Sequence, residues 1–398
     1  MASETDQTRV TAQDMRDRAR ALAPAIRART QETETLRRLP WASVEEILAS
    51  GIARVQRPAR WGGHELGFGA AFDVAAEIGR ACGSTAWSVS FLNHHDWLLG
   101  QFEEQAQADV WTDDLDARVA SAFAPGGRAR AVDGGWVLQG NWPWASGIDH
   151  CNWTIVAAVD PAETDPPTPP SPRLFLLPET DFTIEDTWFN VGLRGSGSNN
   201  VVIAEETFVP AHRTVELFAL REGTAPGGKV NASAPFRTPM MAAFGLGLLG
   251  PALGVARGAL EEWRDWTKER TSTYTFEQVA QQTPMQISLG QATAHVDAAE
   301  LLLRDNLVRL ADPDAITEVE RTTNRRNCAY AAQLLVRTMD ELLQLSGARG
   351  LFDTNSVQRA WRDVHAIACH TGLNPNSVYE AHGRLELALG RNPKDPLY

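Results

Sequence analysis

The chain has 398 residues and 43% of them are hydrophobic, so it can bury a sizeable core and we expect two or three domains. Its 50 acidic residues outnumber 37 basic ones, and the net charge is -13. Because phosphate binding needs clustered Lys and Arg, nucleic acid is not an expected partner. The sequence shows neither a targeting segment nor an apolar run long enough to span a membrane, so we expect a cytoplasmic protein.

The cysteines are too far apart to predict a metal site or a disulfide framework. They are Cys82, Cys151, Cys328 and Cys369. No C-x-x-C pair and no H-E-x-x-H helix occurs either. We therefore expect no metal and predict reduced, mostly buried thiols.

Residues 1–115 follow a helical pattern, with Ala, Ile and Leu at three- and four-residue intervals, and we predict an N-terminal helical domain. Its clearest helical segments are 15–29 and 44–49. One helix is predicted to end near Gly83. Ser84 is predicted to cap the next helix, which carries Trp87, His94 and His95.

Residues 116–225 change to an alternating pattern, which predicts a small antiparallel sheet or barrel. The strand-like runs are 129–132, 136–139, 153–159, 173–177 and 201–203. Between them, residues 160–172 contain six prolines and are predicted to form a solvated loop.

Residues 226–398 become helical again, and we predict a C-terminal bundle. One long helix is predicted to start at Thr283-Pro284. Its apolar stripe is Val296, Ala299, Leu303, Leu307 and Leu310, and the next helix has Cys328, Ala331, Leu335, Met339 and Leu342. Two further helical segments lie at 357–369 and 377–389.

The glycines Gly245, Gly247 and Gly250 spell G-x-G-x-x-G, but they lie in an apolar, helix-like stretch. A nucleotide-binding version needs a preceding strand and a βαβ unit. Close helix packing is the better interpretation. The chain therefore has no visible nicotinamide-binding domain of its own.

Residues 140–153, G-N-W-P-W-A-S-G-I-D-H-C-N-W, combine three indoles with one hydroxyl and one imidazole. Indole faces can stack on a planar cofactor and exclude water, and Ser146 can bond a ring heteroatom. A tryptophan-rich core strand is an equal alternative.

The loop at residues 191–200 places Arg194 among glycines and serines. Such a loop can bind an anionic phosphate or a partner subunit, and it can equally be an ordinary glycine-rich connection.

Helical geometry places the members of two histidine pairs on different sides of their helices. His365 and His370 are five apart, which places them about 140° from each other around a helix, and His94 and His95 point about 100° apart. At most one member of each pair should reach a shared site.

Five motifs occur in the order typical of one protein superfamily. They are R-W-G-G at 60–63, G-S-T-A-W at 83–87, W-P-W-A-S-G-x-D-H at 142–150, G-L-R-G-S-G-S at 192–198 with V-P at 209–210, and W-R-D-V-H-A-I-A-C-H at 361–370. With them the chain resembles the acyl-CoA dehydrogenase superfamily. Within it, the chain resembles the oxygenase components of two-component flavin monooxygenases, notably the secosteroid-phenol hydroxylases and, more distantly, the p-hydroxyphenylacetate and dibenzothiophene oxygenases.

The resemblance implies an α+β, mostly α fold: an N-terminal helical domain, a central β-barrel domain and a C-terminal four-helix bundle, assembled as a homotetramer. It also implies a flavin site beside residues 144–146, where the dehydrogenases have W-I-T, with Ser146 near flavin N5. The implied cofactor-binding residues are Phe123, Trp144, Ala145, Ser146, Arg194 and Ser196.

The resemblance assigns the chemistry to Ser146, His370 and His95. Many dehydrogenases carry a catalytic glutamate in Y-E-G, where this chain has His370-Thr371-Gly372. His370 is placed at the flavin peroxide, and His95 at the substrate or peroxide side. Trp87 and His150 are weaker candidates for the pocket lining, and His94 and His365 are assigned structural roles.

The predicted function is monooxygenation. Reduced FMN or FAD from a separate NAD(P)H-dependent reductase would react with O2 to give a C4a-hydroperoxyflavin, which hydroxylates an aromatic, phenolic or polycyclic substrate. The alternatives are an acyl-CoA dehydrogenase with a relocated base, an N-oxygenase on the same scaffold, and a flavin-binding or purely structural helical protein without turnover.

Overall fold

The computed structural model describes residues 10–160 and 172–392. The predicted proline-rich loop at 160–172 therefore lies almost entirely outside the described residues. Three apolar clusters form the core: one beneath the N-terminal helices, one inside the sheet, and the largest between the bundle and its neighbours.

Between residues 10 and 115, where the structure describes the N-terminal region, six α-helices occur. They are α1 (Ala12–Ala28), α2 (Thr30–Leu36), α3 (Trp41–Ser50), α4 (Phe68–Gly79), α5 (Gly83–Leu99) and α6 (Glu104–Trp111). The predicted helices at 15–29 and 44–49 are confirmed as α1 and α3. The predicted cap is wrong: Cys82 is the N-cap of α5, and the buried Ser84 hydroxyl instead accepts from the Gly195 N–H at 3.1 Å.

Seven strands of the described part of the chain form one sheet. They are β1 (Val119–Val132), β2 (Gly135–Ala145), β3 (Trp153–Val159), β4 (Arg173–Pro178), β5 (Thr183–Glu185), β6 (Asn199–Pro210) and β7 (Thr214–Glu216). The order is β5-β6-β2-β1-β3-β4-β7. All five predicted runs are strands. The pairing departs from the antiparallel prediction only at β1 and β3, which run parallel. Strands β2 and β3 lie on opposite sides of β1 and run in opposite directions, with a 3-10 turn at Ile148–His150 between them.

The C-terminal region begins with two short helices and continues as a bundle. The helices are α7 (Leu217–Glu222), α8 (Gly227–Val230), α9 (Met240–Glu269), α10 (Thr283–Arg309), α11 (Glu318–Ser346), α12 (Ser356–Ala368) and α13 (Pro375–Glu386). Helices α9 to α12 pack on one another, and α13 packs on α11. The two predicted apolar stripes lie in α10 and α11, and all their members are buried except Leu307, which is half-buried.

The apolar helix α9 packs closely on α4, as the sequence predicts for its glycines. A Cβ on Gly254 would lie 2.1 Å from the Ala76 carbonyl oxygen, and one on Gly250 would lie 3.2 Å from the Phe72 carbonyl oxygen. In length and composition α9 could cross a membrane, but 83% of its most apolar window is buried in the fold. That burial is typical of a core helix.

Candidate active site

One face of α5 carries an aromatic row at i, i+4 and i+8, the spacing that stacks side chains along a helix. The ring centroids of Trp87 and Phe91 are 4.7 Å apart, and those of Phe91 and His95 are 5.4 Å apart. Because α5 packs on β1, α9 and α12, this row faces both the sheet and the bundle. The helix therefore brings side chains from all three regions together.

Ser146 lies at one end of this row, just beyond the end of β2. Its Oγ accepts from the Trp87 indole N–H at 2.9 Å and lies 2.8 Å from the Ser198 Oγ. The Ser198 Oγ is in turn 2.7 Å from the Ser196 Oγ. Ser196 and Ser198 are buried, whereas Ser146 is only half-buried. Ser146 is thus the accessible hydroxyl of a bonded chain.

His370 contacts the same indole from the bundle. It follows the end of α12, and its ring centroid lies 6.1 Å from Trp87 and 5.6 Å from Phe244. Its Nδ1 accepts from the Gly372 N–H at 3.1 Å, so the neutral ring carries its proton on Nε2. Burial lowers the pKa of His370 to about 4, which keeps the ring neutral at pH 7. His370 can therefore offer an N–H donor.

His95 has the opposite tautomer. Its Nδ1 lies 2.7 Å from the Val119 carbonyl oxygen and must donate to it, so Nε2 accepts from the Ser121 hydroxyl at 2.8 Å. Burial lowers the pKa of His95 to about 3. His95 can hold a proton only when a negative charge forms beside it.

A buried ion pair fixes the strand that His95 contacts. The Arg57 Nε donates to Asp96 at 2.7 Å, and both side chains are almost fully buried. The same guanidinium donates to the carbonyls of Leu115 and Ala117, just before β1. Asp96 therefore holds the segment just before β1 through Arg57, and its neighbour His95 holds the first residues of β1 directly.

Trp144 has an unusual conformation for an indole. Its side chain is 64% exposed and its φ is 70°, a left-handed value that is strained for a bulky residue. The next residue, Ala145, is buried and pairs with Asn199 of β6, which holds the strained backbone in place. An exposed indole face is thus presented beside Ser146.

The loop at 191–200 is held to the bundle by the buried Asp363 of α12. Its Oδ1 accepts from the Leu193 N–H at 2.7 Å, and Leu193 also has a left-handed φ of 50°. Burial, helped by the charge of Glu34, raises the pKa of Asp363 to about 7. Within the described residues the exposed Arg194 side chain has no hydrogen bond or ion pair. The loop thus presents an exposed guanidinium two positions before Ser196 in the chain.

Phe123 lies on β1 two positions beyond Ser121, so both side chains are on the same face of the strand. Phe123 is half-buried and packs against the core beneath α5. It is therefore on the side of the sheet that carries the His95 contact.

Three of the singled-out histidines lie elsewhere. The His150 ring packs edge-on against Trp41, 4.8 Å away, and not in the row on α5. The His94 Nδ1 bonds the Ser90 carbonyl at 2.8 Å within α5. The partly exposed His365 bonds the Trp361 carbonyl and reaches Asp340 at 3.2 Å. The ring contact of His150 is thus with α3, whereas those of His370 and His95 are with the row on α5.

Sequence reasoning missed Ser121 and Ser198. Ser121 lies in an alternating strand where a serine is unremarkable, and only the fold shows that it faces His95. Ser198 was part of the glycine-rich loop, but nothing in that loop distinguishes one serine from another. Ser121 is 26 positions from its partner His95, and Ser198 is 52 positions from its partner Ser146, so no local sequence pattern indicates either hydrogen bond.

Comparison with known proteins decides the family. Residues 9–115 match "Acyl-CoA dehydrogenase, N-terminal domain" and residues 246–375 match "Acyl-CoA dehydrogenase, C-terminal domain". The flavin-dependent monooxygenase oxygenase subunit HsaA of Rhodococcus jostii (strain RHA1) is 34% identical over 374 residues, 93% of this chain and 97% of that protein. The chain belongs to the acyl-CoA dehydrogenase superfamily.

Within this superfamily the chain is similar to oxygenase components. The FADH(2)-dependent resorcinol hydroxylase, oxygenase component, of Rhizobium sp. (strain MTP-10005) is 32% identical and covers 95% of this chain and 94% of that protein. The crystal structure of the HsaA monooxygenase from M. tuberculosis has a TM-score of 0.89 at 31% identity, covering 98% of this chain and 100% of that chain. The resemblance and the mostly helical fold with a central sheet are confirmed.

Proposed function

We propose that this protein is the oxygenase component of a two-component flavin monooxygenase that hydroxylates an aromatic, phenolic substrate. The observation that carries the proposal is the row on α5, which joins a hydroxyl, an indole and two neutral histidines of opposite tautomer in one cluster. The names of the relatives, which include a resorcinol hydroxylase, support a phenol as substrate.

The residues present fit a reduced flavin. Trp144 offers an exposed indole face, Ser146 an accessible hydroxyl, and Arg194 an exposed cation for a phosphate. FMNH2 or FADH2 bound there supplies two electrons and, with O2, the oxygen atom that is inserted. Trp87, Phe91 and Phe244 exclude water from the same cluster, and Phe123 lines its sheet side.

The two histidines have different tasks in this proposal. His370 donates a hydrogen bond from Nε2 on the flavin side, since its Nδ1 is occupied by the Gly372 N–H. The phenol O–H donates to the Ser121 Oγ while the Ser121 hydroxyl donates to His95 Nε2, so the phenol proton moves to Ser121 as the Ser121 hydrogen passes to His95. The ring carbon beside the phenolate oxygen is then the electron-rich position. The ring contact of His150 is with Trp41, and we assign His150 no step in this proposal.

The assembly in this proposal is a cytoplasmic homotetramer served by a separate flavin reductase. The relatives' printed designation "oxygenase component" supports the second protein. Exposed apolar side chains on one long helix, α10, support association with further copies; they are Ile287, Leu301 and Val308. Sedimentation velocity of the purified protein tests this: a tetramer is expected, and a monomer at micromolar concentration contradicts it.

The test is product formation from chemically reduced flavin and ¹⁸O2 with a panel of phenols, without any reductase. We expect one ¹⁸O atom in a ring-hydroxylated product. Quantitative peroxide release with every phenol would contradict the proposal. The competing dehydrogenase function predicts something different: a yellow protein as isolated, bleached by an acyl-CoA without oxygen.

A further inference from the structure

Three serines beside the proposed flavin site, Ser146, Ser198 and Ser196, form a linear hydrogen-bond chain. One end is fixed, because an indole N–H is a donor only and the Trp87 Nε1 donates to Ser146 at 2.9 Å. The other links, Ser146 to Ser198 at 2.8 Å and Ser198 to Ser196 at 2.7 Å, join hydroxyls that can each donate or accept. The chain therefore has two possible directions.

In the first direction Ser146 donates to Ser198, and Ser198 donates to Ser196. The Ser146 Oγ then accepts from Trp87 and keeps one lone pair free, so it can accept a further hydrogen bond. In the second direction Ser196 donates to Ser198, and Ser198 donates to Ser146. Both lone pairs of Ser146 are then occupied, and its hydrogen is available to a neighbour outside the chain.

We propose that this reversible hydroxyl chain lets Ser146 match flavin N5 in both redox states. Reduced N5 carries a hydrogen and needs an acceptor, which the first direction supplies. Oxidised N5 is an acceptor and needs a donor, which the second direction supplies. Ser198 and Ser196 are positioning residues that act through Ser146. This inference rests on the proposed function, because it requires a flavin whose N5 faces Ser146.

Burial keeps water out of the hydrogen-bond chain. Ser196 and Ser198 are 2% and 3% exposed, so water cannot replace a missing partner. Without Ser198, the Ser146 hydrogen has no partner in the chain while Trp87 still donates to Ser146. That hydrogen then points outward, which suits oxidised N5 and opposes reduced N5–H.

The experiment measures the dissociation constants of oxidised and anaerobically reduced flavin, FMN and FAD, by quenching of tryptophan fluorescence. For Ser198→Ala we expect the ratio of reduced to oxidised Kd to rise about tenfold, the effect of one hydrogen bond. For a two-electron couple this equals a potential about 30 mV lower than in the wild type. Ser196→Ala should shift the ratio in the same direction by less.

Three control variants isolate the direction of the chain. Ser198→Thr keeps the hydroxyl and should restore the wild-type ratio. Trp87→Phe leaves both directions of the chain possible. It should therefore weaken the binding of oxidised and of reduced flavin, while the ratio of the two dissociation constants stays within about twofold of the wild type. Ser88→Ala removes a buried hydroxyl that, among the residues the structure describes, bonds the Ser84 carbonyl within α5, and it should change neither constant.

The outcomes separate this inference from the function on which it depends. If the wild type binds both redox states and Ser198→Ala leaves the ratio unchanged, the reversible chain is wrong and the flavin site stands. If Ser198→Thr shifts the ratio as much as Ser198→Ala, the effect is steric and the inference is again overturned. If the wild type binds neither FMN nor FAD in either state, the proposed function itself fails.

Discussion

Two side chains on either side of Trp87 carry the proposed chemistry on the flavin side. We predict that Ser146→Ala shortens the absorbance transient that precedes reoxidation of reduced flavin by about tenfold, because one hydrogen bond is lost. His370→Ala should impair product formation more than flavin binding, because its Nε2 donor is lost while Trp144 and Ser146 remain. Stopped-flow absorbance and flavin titration measure the two effects. Wild-type rates in both variants would remove these assignments.

Ser121 and His95 form the proposed phenol-binding pair. We predict that Ser121→Ala lowers kcat/KM for the phenol about tenfold in the wild type but only slightly in a His95→Gln background, because both residues act on one oxygen. Steady-state kinetics of the two single variants and the double variant measure the coupling. Independent, additive losses would show that the pair does not act as a unit.

The sequence indicated several of these residues but not their relation. Ser146, His95 and His370 were assigned through ordered motifs shared with a superfamily, and Trp87 came with them. Their hydrogen-bond partners were not visible, because Ser121 and Ser198 are recognised only when β1 and the loop at 191–200 are packed against α5. The tautomers of the two histidines likewise follow from backbone contacts that no side-chain pattern encodes.

Helix α5 packs on both α4 and α9, and these two helices also pack closely on each other. Gly254 meets the Ala76 carbonyl so closely that a Cβ would be 2.1 Å from its oxygen, whereas Gly290 of α10 has no atom within 4 Å of such a Cβ. We predict that Gly254→Ala destabilises the protein by about 1–3 kcal/mol and that Gly290→Ala stabilises it by up to about 1 kcal/mol. Chemical denaturation measures both. Equal effects would show that α4 and α9 are not packed this closely.

Helix and strand positions were predictable because their signals are local. Apolar spacing located α1, α3, α10 and α11, and alternation located the five main strand runs. The parallel pairing of β1 with β3 and the cap of α5 were not predictable, because both depend on tertiary contacts. Ser84 looks like a cap residue in sequence, yet its hydroxyl is used by the Gly195 N–H.

Burial of His95 couples the stability of the whole protein to pH. Folded His95 stays neutral down to about pH 3, while an unfolded histidine binds a proton near pH 6.5. Unfolding therefore takes up a proton below pH 6.5, and the stability contribution present above that pH is lost as pH falls toward 3. Relative to His95→Gln, the wild type should lose about 1.4 kcal/mol between pH 7.5 and 5.5.

Urea titrations of both proteins at the two pH values measure that difference. His95→Gln is the matched reference because both proteins share every other titrating group, including Asp363, whose raised pKa acts in the opposite sense. A constant difference between the two proteins would show that His95 is not held neutral in the folded state.

Monooxygenation by reduced flavin is tested by mixing the protein with chemically reduced FMN or FAD without oxygen and then adding O2 in a stopped-flow spectrophotometer. We expect a long-lived near-ultraviolet transient that decays faster when a hydroxylatable phenol is present, with one product formed per flavin. Immediate appearance of oxidised flavin and peroxide, with and without every phenol tried, would contradict it.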